Sequence, residues 1–259
     1  MRALENVNEE FVQLKKRLIE LVIEKSYKYD ENPIFKLSCG RMSNYYVDCK
    51  PLMYNNEAMK IISKLINQYL LSIDDKVDCI GGPETGAIPL SICTAMNNKN
   101  INTFYVRKQS KDHGTKKMVE GDIKEGDNVI IIEDVITTGE STINSINRIN
   151  EFGATVIGLI VLINREEADI QNTILNKYNI PYMKSILRIS EIKNYDSNKK
   201  MNNYTKLEKF VKDRVRYDDS WCSDFCNFNN GAGDCLLFGT PKNHIKNHRY
   251  QECIDIFKK

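Results

Sequence analysis

The chain contains no run of about 18 consecutive apolar residues, so no segment reads as a helix that spans a bilayer. It lacks an excess of either charge. Lys+Arg total 37 and Asp+Glu total 35, whereas a dedicated nucleic-acid or membrane-surface binder carries a basic surplus. The first residues, MRALENVNEEF, lack an apolar core and carry acids early, unlike a secretory signal. Glycine and proline are sparse, 13 and 6 among 259 residues, which excludes fibrous and low-complexity classes. No internal repeat of about 20–50 residues is visible, which excludes solenoids. What is present is 41% apolar and 28% charged. That is the composition of an ordinary globular protein, long enough to bury a core without staples. The expectation is a cytoplasmic protein with no nucleic-acid or membrane partner.

Cysteine is plentiful but mostly uninformative. Cys39, Cys49, Cys79 and Cys93 are scattered at no metal-like spacing and read as free thiols, partly buried. Cys222, Cys226, Cys235 and Cys253 differ, because they cluster with His244 and His248 near the C-terminus.

Apolar periodicity organises the rest. Phe11, Leu14, Leu18, Leu21 and Val22 recur at helical spacing, and Ile61, Ile62, Leu65, Ile66 and Tyr69 mark a second helix over 56–71. Short apolar runs then alternate with helical patterns. The strands read as Val77–Ile80, Thr103–Val106, Val129–Ile132, Val156–Ile163 and Tyr182–Leu187, with helices near 87–97, 141–152 and 167–178. This alternation predicts an α/β fold with a mostly parallel central sheet covered by helices on both faces. After about residue 193 the polar, Asn-rich NYDSNKKMNNY reads as a linker or exposed turn, followed by a short helix over Lys206–Tyr217. A boundary is expected near 195–203, with 196–259 taken as a Cys/His-rich extension.

The most informative stretch is VIIIEDVITTGEST, Val129–Thr142. A buried strand ends in Glu133 and Asp134, and a Thr/Gly/Ser loop then opens a helix. Ligands of open α/β sheets bind beyond the carboxyl ends of the strands. A helix N-terminus with free N–H groups is an anion site. Thr137, Thr138, Gly139 and Ser141 therefore suit a phosphate. Two carboxylates repel phosphate but accept hydrogen bonds from adjacent hydroxyls, so a sugar phosphate is implied. This string resembles the phosphoribosyl-diphosphate motif of the type I phosphoribosyltransferases. In that family the acids hold the ribose hydroxyls and the loop, here Val135, Ile136, Thr137, Thr138, Gly139, Glu140 and Ser141, holds the 5-phosphate.

YVRKQSKDHGTKKMVEG, Tyr105–Gly121, is a locally basic segment between two strands. It is expected to be an exposed, mobile loop, and a dense cationic loop beside a sugar-phosphate site suits a diphosphate. RKQSKDHG resembles the corresponding loop of the orotate phosphoribosyltransferases. The resemblance implies that Arg107, Lys108, Lys111 and His113 contact diphosphate, and that the loop closes over the partner's site in a homodimer. FKLSCGRMSNYYVDCKP (35–51) resembles the family's hood segment, within about 1–52. GGPETGAIPL (81–90) resembles its diphosphate-approaching loop. Arg165 lies where some members carry an arginine for the orotate carboxylate, and a guanidinium fork matches a planar carboxylate. The sequence departs from the family pattern: some members carry Lys at the positions of Ser38 and Thr85. Cys39 stands for the commoner Ser, Ala87 for Gly and Lys50 for Arg. The resemblance covers about residues 10–192 and implies a phosphoribosyltransferase domain over 1–195.

The resemblance implies transfer of phosphoribose from its diphosphate to orotate, with Mg²⁺ carried on the diphosphate rather than in a protein cage. Lys108, Lys111, His113 and Asp134 are the expected catalytic residues; Arg107, Glu133 and Arg165 join the phosphate loop in binding substrate. The alternatives are transfer to another base, which RKQSKDHG argues against, and a non-catalytic sensor, which has no leaving group for a cationic loop to stabilise. For the tail, C-x3-C-x8-C-x8-H-x3-H-x4-C contains pairs at zinc-like spacing. A thiol-rich satellite core around Trp221, Phe225 and Phe228, or a redox role, stays open beside a metal.

Overall fold

The computed structural model describes residues 2–37, 40–98, 100–109 and 117–214, the side chains of 2–8 and 202–214 excepted. Ser38, Cys39, Lys111, His113 and the whole Cys/His cluster, Cys222, Cys226, Cys235, His244, His248 and Cys253, lie outside the described residues.

Helix α1 (Arg2–Lys25) leads into β1 (Tyr27–Tyr29), β2 (Phe35–Lys36), β3 (Met42–Ser43), β4 (Tyr45–Val47) and the short α2 (Lys50–Met53). β1 pairs with β4 and β2 with β3, both antiparallel. The segment before α3 thus holds two small ribbons, too short to show a periodic pattern. Helix α3 (Asn56–Leu70) starts where the Asn55 side chain accepts from the Ala58 N–H at 2.9 Å, a local N-cap.

The main sheet follows: β5 (Cys79–Pro83), α4 (Ala87–Ala95), β6 (Asn102–Val106), β7 (Val119–Gly121), β8 (Asn128–Ile136), α5 (Glu140–Phe152), β9 (Thr155–Asn164) and β10 (Tyr182–Arg188). Strand order is β10-β9-β8-β5-β6-β7. All neighbours are parallel except the edge pair β6 and β7. This is the mostly parallel architecture that the strand–helix alternation implies. The chain moves outward one way from β8 and the other way from β5, so a topological switch point lies between these two strands.

Val129, Ile131, Leu159 and Val161 join Ile146 and Ile149 of α5 in one buried cluster. Ile130 and Ile132, equally buried, alternate to the opposite face, where α4 packs on β5, β6 and β8. Strands buried on both faces need unbroken apolar runs, which is why β8 and β9 read so clearly.

Two elements differ from expectation. The helix expected over 167–178 contains a π-helical segment, Gln171–Asn176; over six residues an apolar pattern does not distinguish a wide turn from an α-turn. The segment expected as a linker lies within helix α6 (Ile189–Arg214). It carries a Lys200–Asp196 ion pair at i,i+4, 2.8 Å apart, but no apolar stripe to betray a helix. The chain divides into two units, Met1–Lys193 and Asn194–Lys259.

The central strands carry the stability. Ile131 is fully buried, so Ile131→Ala should cost about 2–5 kcal/mol and Ile131→Val about 0.5–1.5 kcal/mol. Urea unfolding measures both; equal losses would mean the site collapses around the smaller side chain.

Candidate active site

β8 continues past its apolar run because β9 keeps pairing with it: Glu133 opposes Val161 and Ile136 opposes Asn164. The acid pair is therefore built into the strand rather than into a loop. Glu133 is 6% exposed. Its carboxyl is pushed up to about 8 by burial, with a contribution from Asp134 beside it; the Thr142 hydroxyl and Lys108 act in the opposite sense. Thr142 Oγ1 donates to Glu133 Oε2 at 2.9 Å. Asp134 is half-buried, and its carboxyl is also raised, chiefly by burial, against the pull of backbone N–H groups. A Cβ at Gly86 would stand 2.4 Å from the Asp134 Cγ, so the β5–α4 loop reaches the acid only because residue 86 has no side chain.

The turn after β8 ends at Gly139, which has φ +81° and precedes α5 without offering a side-chain cap. A Cβ there would also stand 2.6 Å from Ile174 Cδ1 of the π-helical segment. The N-terminal N–H groups of α5 are thus left for an anion. Helix α4 begins at the neighbouring edge, directly after β5.

The cationic segment connects the antiparallel strands β6 and β7. Its base is closed by Arg107 N–H to Met118 O at 2.9 Å. Glu84 Oε1 accepts from the Lys108 N–H at 2.8 Å, tying the hairpin to the β5–α4 loop. Lys108 is exposed and Arg107 half-buried, with Arg107 Nε donating to Gln109 O at 3.2 Å.

Arg165 follows β9, and its N–H donates to Ile136 O at 3.1 Å. Its side chain is 5% exposed and faces the Glu167 carboxylate at 2.7 Å. Its guanidinium carbon lies 4.6 Å from the Tyr45 ring centroid. Glu167 also accepts from the Tyr45 hydroxyl at 2.9 Å and from Arg41 at 2.6 Å.

The phosphoribosyl transferase domain family matches residues 52–178. An orotate phosphoribosyltransferase of Pyrococcus horikoshii is 40% identical over 162 residues, covering 62% of this chain and 85% of that protein. One of Aquifex aeolicus is 35% identical over 182 residues, covering 69% of this chain and 97% of that protein. The chain belongs to the orotate phosphoribosyltransferase family. The Mycobacterium tuberculosis member, solved in complex with 5-phospho-α-D-ribosyl 1-diphosphate, matches with a TM-score of 0.55 at 25% identity, covering 69% of this chain and 98% of that one.

The family's motifs converge at the carboxyl edge. Glu133 and Asp134 lie toward the end of β8 and the Thr137–Ser141 stretch follows it; Lys108 follows β6; Arg165 follows β9, whose end is paired to that of β8. Within the loop, Thr138, Glu140 and Ser141 are exposed, Val135 and Thr137 half-buried, and Ile136 buried in the core. Ile136 could therefore meet a ligand only through its backbone. Sequence reasoning missed Thr142, the support of Glu133. It stands inside the quoted motif, and a hydroxyl one turn into a helix beside a buried acid was the available signal. It also missed Glu84 and Glu167, whose partners are remote in sequence.

Glu133 makes stability depend on pH with a definite sign. Its ordinary value of 4.5 rises to about 8 in the fold, so the folded state holds a proton that the unfolded chain releases. Stability from this group is present below about pH 4.5 and is lost as pH rises toward 8. Glu133→Gln should therefore raise the Tm relative to the parent more at about pH 9 than at about pH 5. Equal differences at both pH values, by calorimetry, would show that the carboxyl titrates normally.

Proposed function

We propose that this site transfers the phosphoribosyl group of 5-phosphoribosyl 1-diphosphate to orotate, yielding orotidine 5′-monophosphate and diphosphate in pyrimidine (UMP) biosynthesis. The observation that carries the reading is the meeting, at one sheet edge, of a carboxylate pair, an uncapped helix N-terminus and the root of a cationic hairpin. Each suits one part of the donor: ribose hydroxyls, 5-phosphate and diphosphate.

In the reaction the bond from the anomeric carbon to a diphosphate oxygen breaks and a bond to a ring nitrogen of the base forms. The nitrogen's proton leaves to diphosphate or solvent. Positive charge develops on the sugar and negative charge on the leaving group. Glu133 and Asp134 orient the ribose through its hydroxyls. The backbone N–H groups at Gly139–Ser141 and the hydroxyls of Thr137, Thr138 and Ser141 hold the 5-phosphate; Val135 and Ile136 shape the approach to that loop. Arg107, Lys108, Lys111 and His113 neutralise the departing diphosphate, and Arg165 reads the orotate carboxylate. Closure of the hairpin tip excludes water that would hydrolyse the donor.

Mg²⁺ fits this donor set. The acids offer the hard oxygens it prefers, while no group of three or more His, Cys, Asp or Glu among the described residues could cage a metal. When bound with the diphosphate, Mg²⁺ supplies charge neutralisation of the leaving group. The working form is a homodimer with shared active sites, in the cytoplasm. No helix among the described residues is long and apolar enough to cross a membrane.

Two experiments test the reading. Loss of the orotate absorbance band with donor and Mg²⁺ present should follow enzyme addition, and Asp134→Asn should lower kcat/KM at least about tenfold, or about 1.4 kcal/mol, at an unchanged Tm. An unaltered rate would remove Asp134 from the reaction. For the dimer, Lys111→Ala and Asp134→Asn subunits are mixed, each inactive alone. A loop acting on the neighbouring site leaves one intact site per heterodimer, so activity should return. Verified subunit exchange without recovery would refute a shared site.

A further inference from the structure

We propose that Glu167 is a positioning residue for the base: it grips one edge of the Arg165 guanidinium and ties it to the hood, so that the other edge is presented to a substrate carboxylate. This rests on the reading of Arg165 given above.

A guanidinium is planar and offers two edges, one formed by Nε and one terminal nitrogen, the other by the terminal pair. Glu167 Oε1 occupies the first, 2.8 Å from Nε and 2.7 Å from Nη2. Only the Nε–H is aligned as a hydrogen bond; Nη2 is buried without a hydrogen-bond partner. A buried donor left unmet is unfavourable, and an acceptor arriving at the terminal edge would meet it. The chemistry of that acceptor follows from the surroundings. Arg41, Arg165 and Lys193 stand around Tyr45 and Glu167, with Lys193 Nζ 3.9 Å from the Tyr45 ring centroid. The neighbouring acids are engaged elsewhere: Glu166 accepts from the Ser190 N–H at 3.0 Å and Glu191 from Lys15 at 2.6 Å. Three cations gathered at one place suit a carboxylate.

Among the described residues, Glu167 joins Arg165 to two hood side chains at once. Its Oε1 takes the Tyr45 hydroxyl and its Oε2 takes Arg41, residues 122 and 126 positions away. The same carboxylate therefore sets the guanidinium's orientation and the height of the hood above it. An acid this close also repels an anionic substrate. Removing its charge while keeping its shape decides between the two effects. Loss of the grip should outweigh relief of the repulsion, because an amide is uncharged and has one acceptor oxygen where the carboxylate has two, so it cannot accept from Arg165 and Tyr45 on one side and from Arg41 on the other.

Steady-state kinetics on the full chain with Mg²⁺ test this. Glu167→Gln should raise the KM for orotate about tenfold and leave the KM for phosphoribosyl diphosphate within about twofold, with kcat little changed. Arg165→Gln should raise the orotate KM at least as much, and adding Glu167→Gln to it should change nothing further. Tyr45→Phe, which removes only the hydroxyl, should raise the orotate KM about two- to threefold and serves if Glu167→Gln does not fold. An orotate KM that is unchanged or lower in Glu167→Gln, while Arg165→Gln raises it, overturns the positioning role and spares the reading of Arg165. An orotate KM unmoved by Arg165→Gln overturns both.

Discussion

A carboxylate is carried to the end of a strand buried on both faces, and burying that charge opposes folding. Glu133 is 6% exposed with its carboxyl raised to about 8, and the rest of the site is arranged around this constraint. The Thr142 hydroxyl must reach it, so α5 has to begin within a few residues of the strand. That tight turn calls for Gly139 in the left-handed region, where a side chain would also strike Ile174. The unfavourable desolvation is tolerated because β8 and β9 bury long apolar runs beside it, and apolar burial is the dominant favourable term in folding.

The same logic repeats one strand over with the opposite charge. Arg165 is 5% exposed at the end of β9, and a buried cation needs a partner. Glu167 provides it, and the Tyr45 ring covers the guanidinium. The acid of β8 and the base of β9 thus stand at paired strand ends, each compensated by its own neighbour rather than by the other.

Close approach is obtained by leaving side chains out. Gly86 lets the β5–α4 loop lie against Asp134, since a Cβ would enter the space of its carboxylate. Glu84 of the same loop fixes the backbone at Lys108. The loop is therefore a junction between the acid pair and the cationic hairpin, at the place where the sheet's connections diverge. Rigid strand ends fix these parts relative to one another, and the base of the hairpin is held by Met118 and Glu84.

By itself the sequence determined the fold class, the position of every main-sheet strand except the short edge strand β7, and the family. These are local properties: unbroken apolar runs such as Val129–Ile132 and Val156–Ile163 permit little but buried parallel strands, and VIIIEDVITTGEST and RKQSKDHG are contiguous strings. It also carried the acid pair and the Thr/Gly/Ser loop, because strand, acids and helix start are consecutive. Tertiary structure decided what depends on remote partners. The antiparallel edge β7 and the two hood ribbons are too short for periodicity to register. The helix through NYDSNKKMNNY has no apolar stripe, and its i,i+4 pairing shows only once the backbone is helical. The linkage of Arg41 and Tyr45 to Glu167 joins residues more than 120 positions apart. The raised carboxyl of Glu133 follows from how deeply the surrounding helices bury it. Burial and long-range pairing arise from packing, and packing is not a property of any single stretch of chain.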